Sequence, residues 1–160
     1  MFQQEGYRLM GAAFEVYNQL GYGMAEEVYQ QSLEIELGLR QVPFRSKQEL
    51  LLFYKDRQLE TRYKPDLFVF DGIVVELKAV RELTPDHEAQ LFNYMRIARI
   101  TVGYLINFGT PGELEWKRFI LSDHQITDAL KTKTRGNTNR FGEHESSLID
   151  ADPREKSSSD

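Results

Sequence analysis

The sequence predicts an α/β fold, a mixed central β-sheet flanked by helices. Apolar residues recur at helical spacing through the first 37 positions. β-branched and aromatic runs dominate residues 50 to 78, and a strong helix start at Thr84-Pro85-Asp86 separates them from two later apolar strands. Helices, then three strands, a helix and two strands is an order that a mixed sheet accommodates.

The first helix is expected over about residues 4 to 20. Tyr7, Met10, Phe14 and Tyr17 lie at helical spacing as core candidates, and Gly21-Tyr22-Gly23 is the stop. A second helix over about 25 to 37 carries Val28, Leu33, Ile35 and Leu37, with a left-handed cap expected near Gly38. After Pro43, residues 50 to 54 read as a buried strand, 55 to 58 as a polar turn, and 59 to 70 as the partner strand. A third strand ends in Glu76-Leu77-Lys78. Thr84 as N-cap, Pro85 at the first helical position and acids in the first turn open a helix running to about Arg99. Residues 101 to 108 and 114 to 121 supply the last two strands. From Ser122 onward apolar residues thin out, so 1–121 reads as the folded domain and 122–160 as a disordered polar tail.

With 160 residues and 41% hydrophobic content the chain supports one real core. It has no cysteine, which excludes disulfides and thiolate metal sites and suits a reducing cytosol. No apolar run reaches the roughly 20 residues that span a bilayer, and the first residues lack a signal peptide's pattern, so a soluble, cytoplasmic protein is expected. The formal charge of −5 disfavours a strong nucleic-acid binder. Lys55, Arg57, Arg62, Lys64, Lys78, Arg96 and Arg99 nevertheless fall on elements where a local basic rim could form.

The chemistry concentrates at Pro65-Asp66 and Glu76-Leu77-Lys78, at the open ends of two apolar segments joined by a turn. Strand side chains alternate, so Glu76 and Lys78 share a face and Leu77 points the other way. A two-residue turn would set Asp66 on the wrong face. A three-residue loop, Phe70-Asp71-Gly72, with Gly72 left-handed, sets Asp66 opposite Glu76 with Cβ atoms roughly 5 Å apart. Two carboxylates that close repel by several kcal/mol at an effective dielectric of about 20 unless a cation intervenes or one keeps its proton. An oxygen-only donor set favours Mg²⁺ or Mn²⁺ over zinc, and Lys78 could orient a water or neutralise developing charge. The alternative on these three residues is an ordinary strand pair with a Glu–Lys salt bridge at its mouth.

The Asp66, Glu76-x-Lys78 arrangement resembles the PD-(D/E)XK nuclease superfamily. Gly23-Met24-Ala25-Glu26-Glu27-Val28-Tyr29 matches the signature of its GxxExxY protein family. Three further stretches, Gly11 to Tyr17, His87-Glu88-Ala89-Gln90-Leu91 and Ile106-Asn107-Phe108-Gly109, are similar to that family in the right order, across roughly residues 6 to 121. The resemblance implies a restriction-endonuclease-like core, α-βββ-α-ββ with an extra N-terminal helix. It implies Glu26, Asp66 and Glu76 as metal ligands, the Leu77 carbonyl beside them, and Lys78 as the catalytic amine. It further implies a RecB-type Q-x-x-x-Y pair in Gln90 and Tyr94, whose i, i+4 spacing gives them one helix face, shared with His87. Glu26 could instead simply favour a helix N-terminus. The implied activity is divalent-metal-dependent phosphodiester hydrolysis, DNA ahead of RNA; the chain's charge adds an expectation of weak, salt-sensitive nucleic-acid binding, and its small size that of a second copy or partner protein to help hold a duplex. The other readings are a nuclease-fold binding or assembly module with little turnover, and an enzyme for a different phosphoester.

Overall fold

The computed structural model describes residues 1–128. Helices α1 (Gln3–Leu20) and α2 (Glu26–Leu39) precede strands β1 (Phe44–Ser46), β2 (Leu50–Tyr54), β3 (Arg57–Tyr63), β4 (Leu67–Val69) and β5 (Ile73–Lys78). Then follow α3 (Pro85–Ala98), β6 (Val102–Asn107), β7 (Glu115–Ile120) and a short α4 (Asp123–Asp128). One five-stranded sheet has the order β1-β4-β5-β6-β7. Its β5 and β6 run parallel, joined through α3 as parallel neighbours require, and its other pairs are antiparallel.

Strand alternation sorts the core into two layers. Leu67, Val69, Ile73, Val75 and Leu77 pack with Leu9, Ala13 and Val16 of α1 and Leu33 and Leu37 of α2. Phe68 and Val74 pack on the opposite face, with Leu91, Tyr94 and Met95 of α3. Glu76 and Lys78 are in phase with Val74 and belong to the α3 side.

The N-terminal aromatics do not fill the core as their spacing predicts. Tyr7 is 83% exposed and Phe14 41%, whereas Gly6, Leu9, Ala12, Ala13 and Val16 are buried. The reason is closeness: the Tyr104 ring of β6 lies so near α1 that a Cβ on Gly6 would meet its Oη at 2.0 Å. Small residues therefore take the inward stripe and the rings turn outward. Met10 is buried, and Tyr17 is half-buried, its hydroxyl donating to the Thr110 carbonyl at 2.6 Å. In α2 the pattern holds for Leu33 and Leu37, while Val28 and Ile35 are exposed. Gly38 stays inside that helix, and the left-handed residue is Gln41, at φ 54°.

The expected three-strand run divides. β2 and β3 form their own two-stranded sheet, and β1, unanticipated, pairs with β4 instead. Pro65 interrupts the 59–70 segment: it has no N–H to donate and disfavours the helical region for Lys64, so the chain leaves one sheet before joining the next. β2 is not a buried strand either, since only Leu50 within it is buried.

The β4–β5 turn has the expected length. Val69 pairs with Ile73, leaving Phe70-Asp71-Gly72 as the loop, and the register runs on through Leu67 with Val75. Its left-handed residues, however, are Phe70 (φ 53°) and Asp71 (φ 55°), not Gly72. The Gly72 N–H closes the turn on the Val69 carbonyl at 3.3 Å. Gly72 is needed for space, because a Cβ there would lie 2.1 Å from the Phe2 ring. Residues 123–128, which the sequence places in the polar tail, form α4, which buries Ile126 beside Leu121 in the α3 layer. The rest of that expected tail, 129–160, lies outside the described residues.

Candidate active site

The β4–β5 ladder opens just past Leu67, and there the two carboxylates replace it. Asp66 and Glu76 are 4% and 3% exposed. Glu76 Oε1 accepts the Asp66 backbone N–H at 2.9 Å, and Asp66 Oδ2 accepts the Leu77 N–H at 2.7 Å. Each acid thus satisfies a backbone donor of the opposite strand, which holds the two side by side. Burial first, then the Asp66 charge, pushes the Glu76 carboxyl from 4.5 up to about 9.

Lys78 stands on the same face at the end of β5. Its ammonium donates to Gln90 Oε1 at 2.9 Å, and Gln90 Nε2 donates to Tyr94 Oη at 2.9 Å, both from α3. The expected Gln90–Tyr94 pair is therefore brought to Lys78. Burial first, and Glu76 second, raise the Tyr94 pKa. His87 serves the helix instead. Its Nδ1 accepts the Thr84 N–H at 3.1 Å, closing the first turn of α3.

Glu26 opens α2 beside this pair. Partial burial first and the Asp66 charge second raise its pKa, with Lys78 and Lys47 pulling it down. The loop before it is pinned by Tyr29, whose hydroxyl donates to the Gly21 carbonyl at 2.6 Å and accepts the Met24 N–H at 3.2 Å. The Tyr29 ring stacks on Phe108 at 4.7 Å. In the Gly23-to-Tyr29 signature the glutamate senses the Asp66 charge and the tyrosine is scaffold.

Two contributors have no signal in the sequence. Gln30, 2% exposed on α2, donates to the Asp66 carbonyl at 3.1 Å. Lys47, just after β1, donates from its ammonium to Asp66 Oδ1 at 2.5 Å. Lys47 depends on β1 lying beside β4, a pairing that a three-residue strand does not announce, and Gln30 reaches the same residue from α2. Of the expected basic rim, Lys78 is at the site. Arg62 and Lys64 are engaged by Glu49 at 3.8 and 3.1 Å, and Lys55 lies over the Tyr54 ring.

The Ile106-to-Gly109 stretch is the frame behind Lys78. Fully buried Asn107 accepts the Val80 and Gly109 N–H groups on Oδ1 at 2.9 and 3.0 Å. Its Nδ2 donates to the Val80 carbonyl at 2.8 Å, Glu115 at 2.9 Å and Thr110 at 3.3 Å. The Phe108 N–H holds the Lys78 carbonyl at 2.8 Å. Asn107→Ala would strip partners from several buried groups at once and is expected to destabilise the protein by about 2–4 kcal/mol, read as a lower denaturant midpoint. An unchanged midpoint would show the clamp to be dispensable.

Among the described residues, no three His, Asp or Glu side chains converge at metal-ligand spacing. Asp66 and Glu76 are brought together, and Glu26 is linked to Asp66 through charge. The donor chemistry still fits a hard divalent cation, with two buried carboxylates adjacent and an ammonium seated on one of them.

No curated protein matches the chain. Among solved structures it is similar to that of SSO0001, at 21% identity and a TM-score of 0.49, covering 72% of this chain and 60% of that one. It thus spans less than two thirds of that protein's length. A sequence model of the PD-(D/E)XK nuclease superfamily, whose nucleases generally use divalent metals, matches residues 3–119. The mixed α/β sheet flanked by helices is consistent with the superfamily's restriction-endonuclease-like fold. The chain belongs to the PD-(D/E)XK nuclease superfamily.

Proposed function

We propose that this protein is a nuclease of the GxxExxY kind, hydrolysing phosphodiester bonds of DNA in preference to RNA with Mg²⁺ or Mn²⁺, within a domain spanning residues 1–121. The observation that carries the reading is the buried Asp66–Glu76 pair with Lys78 on its face, anchored to Gln90. Asp66, Glu76 and Glu26 would hold the cation, which when bound supplies charge neutralisation on a phosphate oxygen and acidifies water. Lys78 directs one of its three N–H groups to Gln90, leaving two for the attacking water or a phosphate oxygen. Tyr94 fixes Gln90, and Gln90 fixes Lys78, so the amine's position is set before substrate arrives.

The setting proposed is the cytoplasm, compatible with a chain free of cysteine. No helix among the described residues is long and apolar enough to cross a membrane. Net acidity favours weak, salt-sensitive nucleic-acid binding, and a second copy or a partner protein would help hold a duplex.

A binding or assembly module with little turnover is the second reading, favoured by the absence of three converged ligands among the described residues. Single- and double-stranded DNA and RNA, incubated with Mg²⁺, Mn²⁺ or EDTA, separate the two. Cutting that EDTA abolishes is the expected result. Stabilisation by Mn²⁺ without cutting on any substrate would favour the module.

A further inference from the structure

We propose that Lys47 is a resident cation of the acidic site, seated where the divalent metal would bind, and that metal binding requires its ammonium to leave Asp66. The inference rests on the metal-site reading above. Lys47 Nζ lies 2.5 Å from Asp66 Oδ1, while Oδ2 of the same carboxylate is taken by the Leu77 N–H. The free face of Asp66 is therefore the one the lysine covers.

The placement is built by the backbone rather than by a wandering side chain. Lys47 sits at φ 51°, a left-handed conformation unusual for lysine, and its own N–H donates to the Asp66 carbonyl at 3.1 Å. The Gln30 amide donates to that same carbonyl, also at 3.1 Å. The turn after β1 is thus tied to the residue whose carboxylate the lysine neutralises. At the same time the Lys47 side chain is 44% exposed, so its ammonium has a path into solvent when a stronger cation arrives. Lys78 is not seated on Asp66: its ammonium is placed on Gln90 Oε1 instead.

A lysine that merely decorates the surface would leave metal affinity alone, and one that supports the ligands would make its loss weaken binding. A resident cation does the opposite, since its removal frees the seat. The test is Mn²⁺ binding by calorimetry at pH 7.5 on the full chain, for wild type, Lys47→Asn, Lys47→Arg and Asp66→Asn. Asparagine tolerates the left-handed backbone and removes the charge. Arginine keeps the charge. Lys47→Asn is expected to bind Mn²⁺ about tenfold more tightly than wild type, Lys47→Arg within about twofold of it, and Asp66→Asn not measurably. Thermal melting in EDTA should show Lys47→Asn less stable than wild type, and the gain on adding Mn²⁺ larger. Equal or weaker Mn²⁺ binding by Lys47→Asn, with wild type binding normally, overturns the proposal and leaves the metal site standing. No binding by either wild type or Lys47→Asn overturns the metal-site reading itself, and with it this one.

Discussion

Lys78→Ala is expected to lower cleavage by about 10²–10³-fold while leaving the fold intact, the range typical for losing one preorganised charge-stabilising donor. The amine is half-buried at the end of β5, and its polar contact is with Gln90 on α3. Removing it leaves an exposable glutamine rather than an orphaned core group, so little stability should go with it. The measurement is single-turnover cleavage of a labelled oligonucleotide with Mg²⁺ or Mn²⁺, beside thermal melting of both proteins. A fall in rate at constant melting temperature supports the proposed role. A variant that cuts at the wild-type rate would remove Lys78 from the chemistry and leave it a strand-end donor to Gln90.

Glu76→Gln is expected to abolish most of the pH dependence of stability in the metal-free protein. The Glu76 carboxyl is pushed up to about 9 by burial and by the neighbouring Asp66 charge, against 4.5 ordinarily. The folded state therefore keeps a proton that the unfolded chain releases. Stability from this group is fully present below about pH 4.5 and is lost as pH rises through about 9. The loss for a shift of this size is on the order of a few kcal/mol. Melting curves in EDTA between pH 5 and 9.5 should fall steeply for wild type and stay nearly flat for the glutamine variant. Parallel curves would mean that Glu76 is ionised throughout. A saturating divalent cation should flatten the wild-type curve too, since it replaces the proton that the pair otherwise holds.

The part of this site that is legible in the chain is the part that alternation dictates. Glu76 and Lys78 share a face because they are two residues apart, and the odd-length loop brings Asp66 to the same side. Thr84-Pro85 opens α3 where capping chemistry puts it, and that helix carries Gln90 and Tyr94 on one face to Lys78. What stays hidden depends on neighbours far along the chain. Gly6 makes way for Tyr104, turning Tyr7 and Phe14 to solvent, although their spacing alone reads as core. Gly72 reads as a left-handed turn residue, whereas its role is to admit the Phe2 ring. Lys47 reaches Asp66 because β1 docks on β4, and nothing in Phe44-Arg45-Ser46 announces that partner; Gln30 reaches it from α2, far back in the chain. The branch at Pro65 is marked in the sequence by the proline itself, but residues 59–70 across it read as one strand.

The Asn107 clamp has a consequence for the chemical ageing of the protein. Its amide is saturated in a fixed orientation, oxygen toward two backbone N–H groups and nitrogen toward the Val80 carbonyl and the Glu115 carboxylate. Deamidation would alter a single heavy atom, yet the new oxygen would confront a carbonyl and a carboxylate, acceptor against acceptor, with no solvent to relieve it. Burial keeps that residue from hydrolysing, and the durability of the frame that carries Lys78 therefore hangs on one nitrogen.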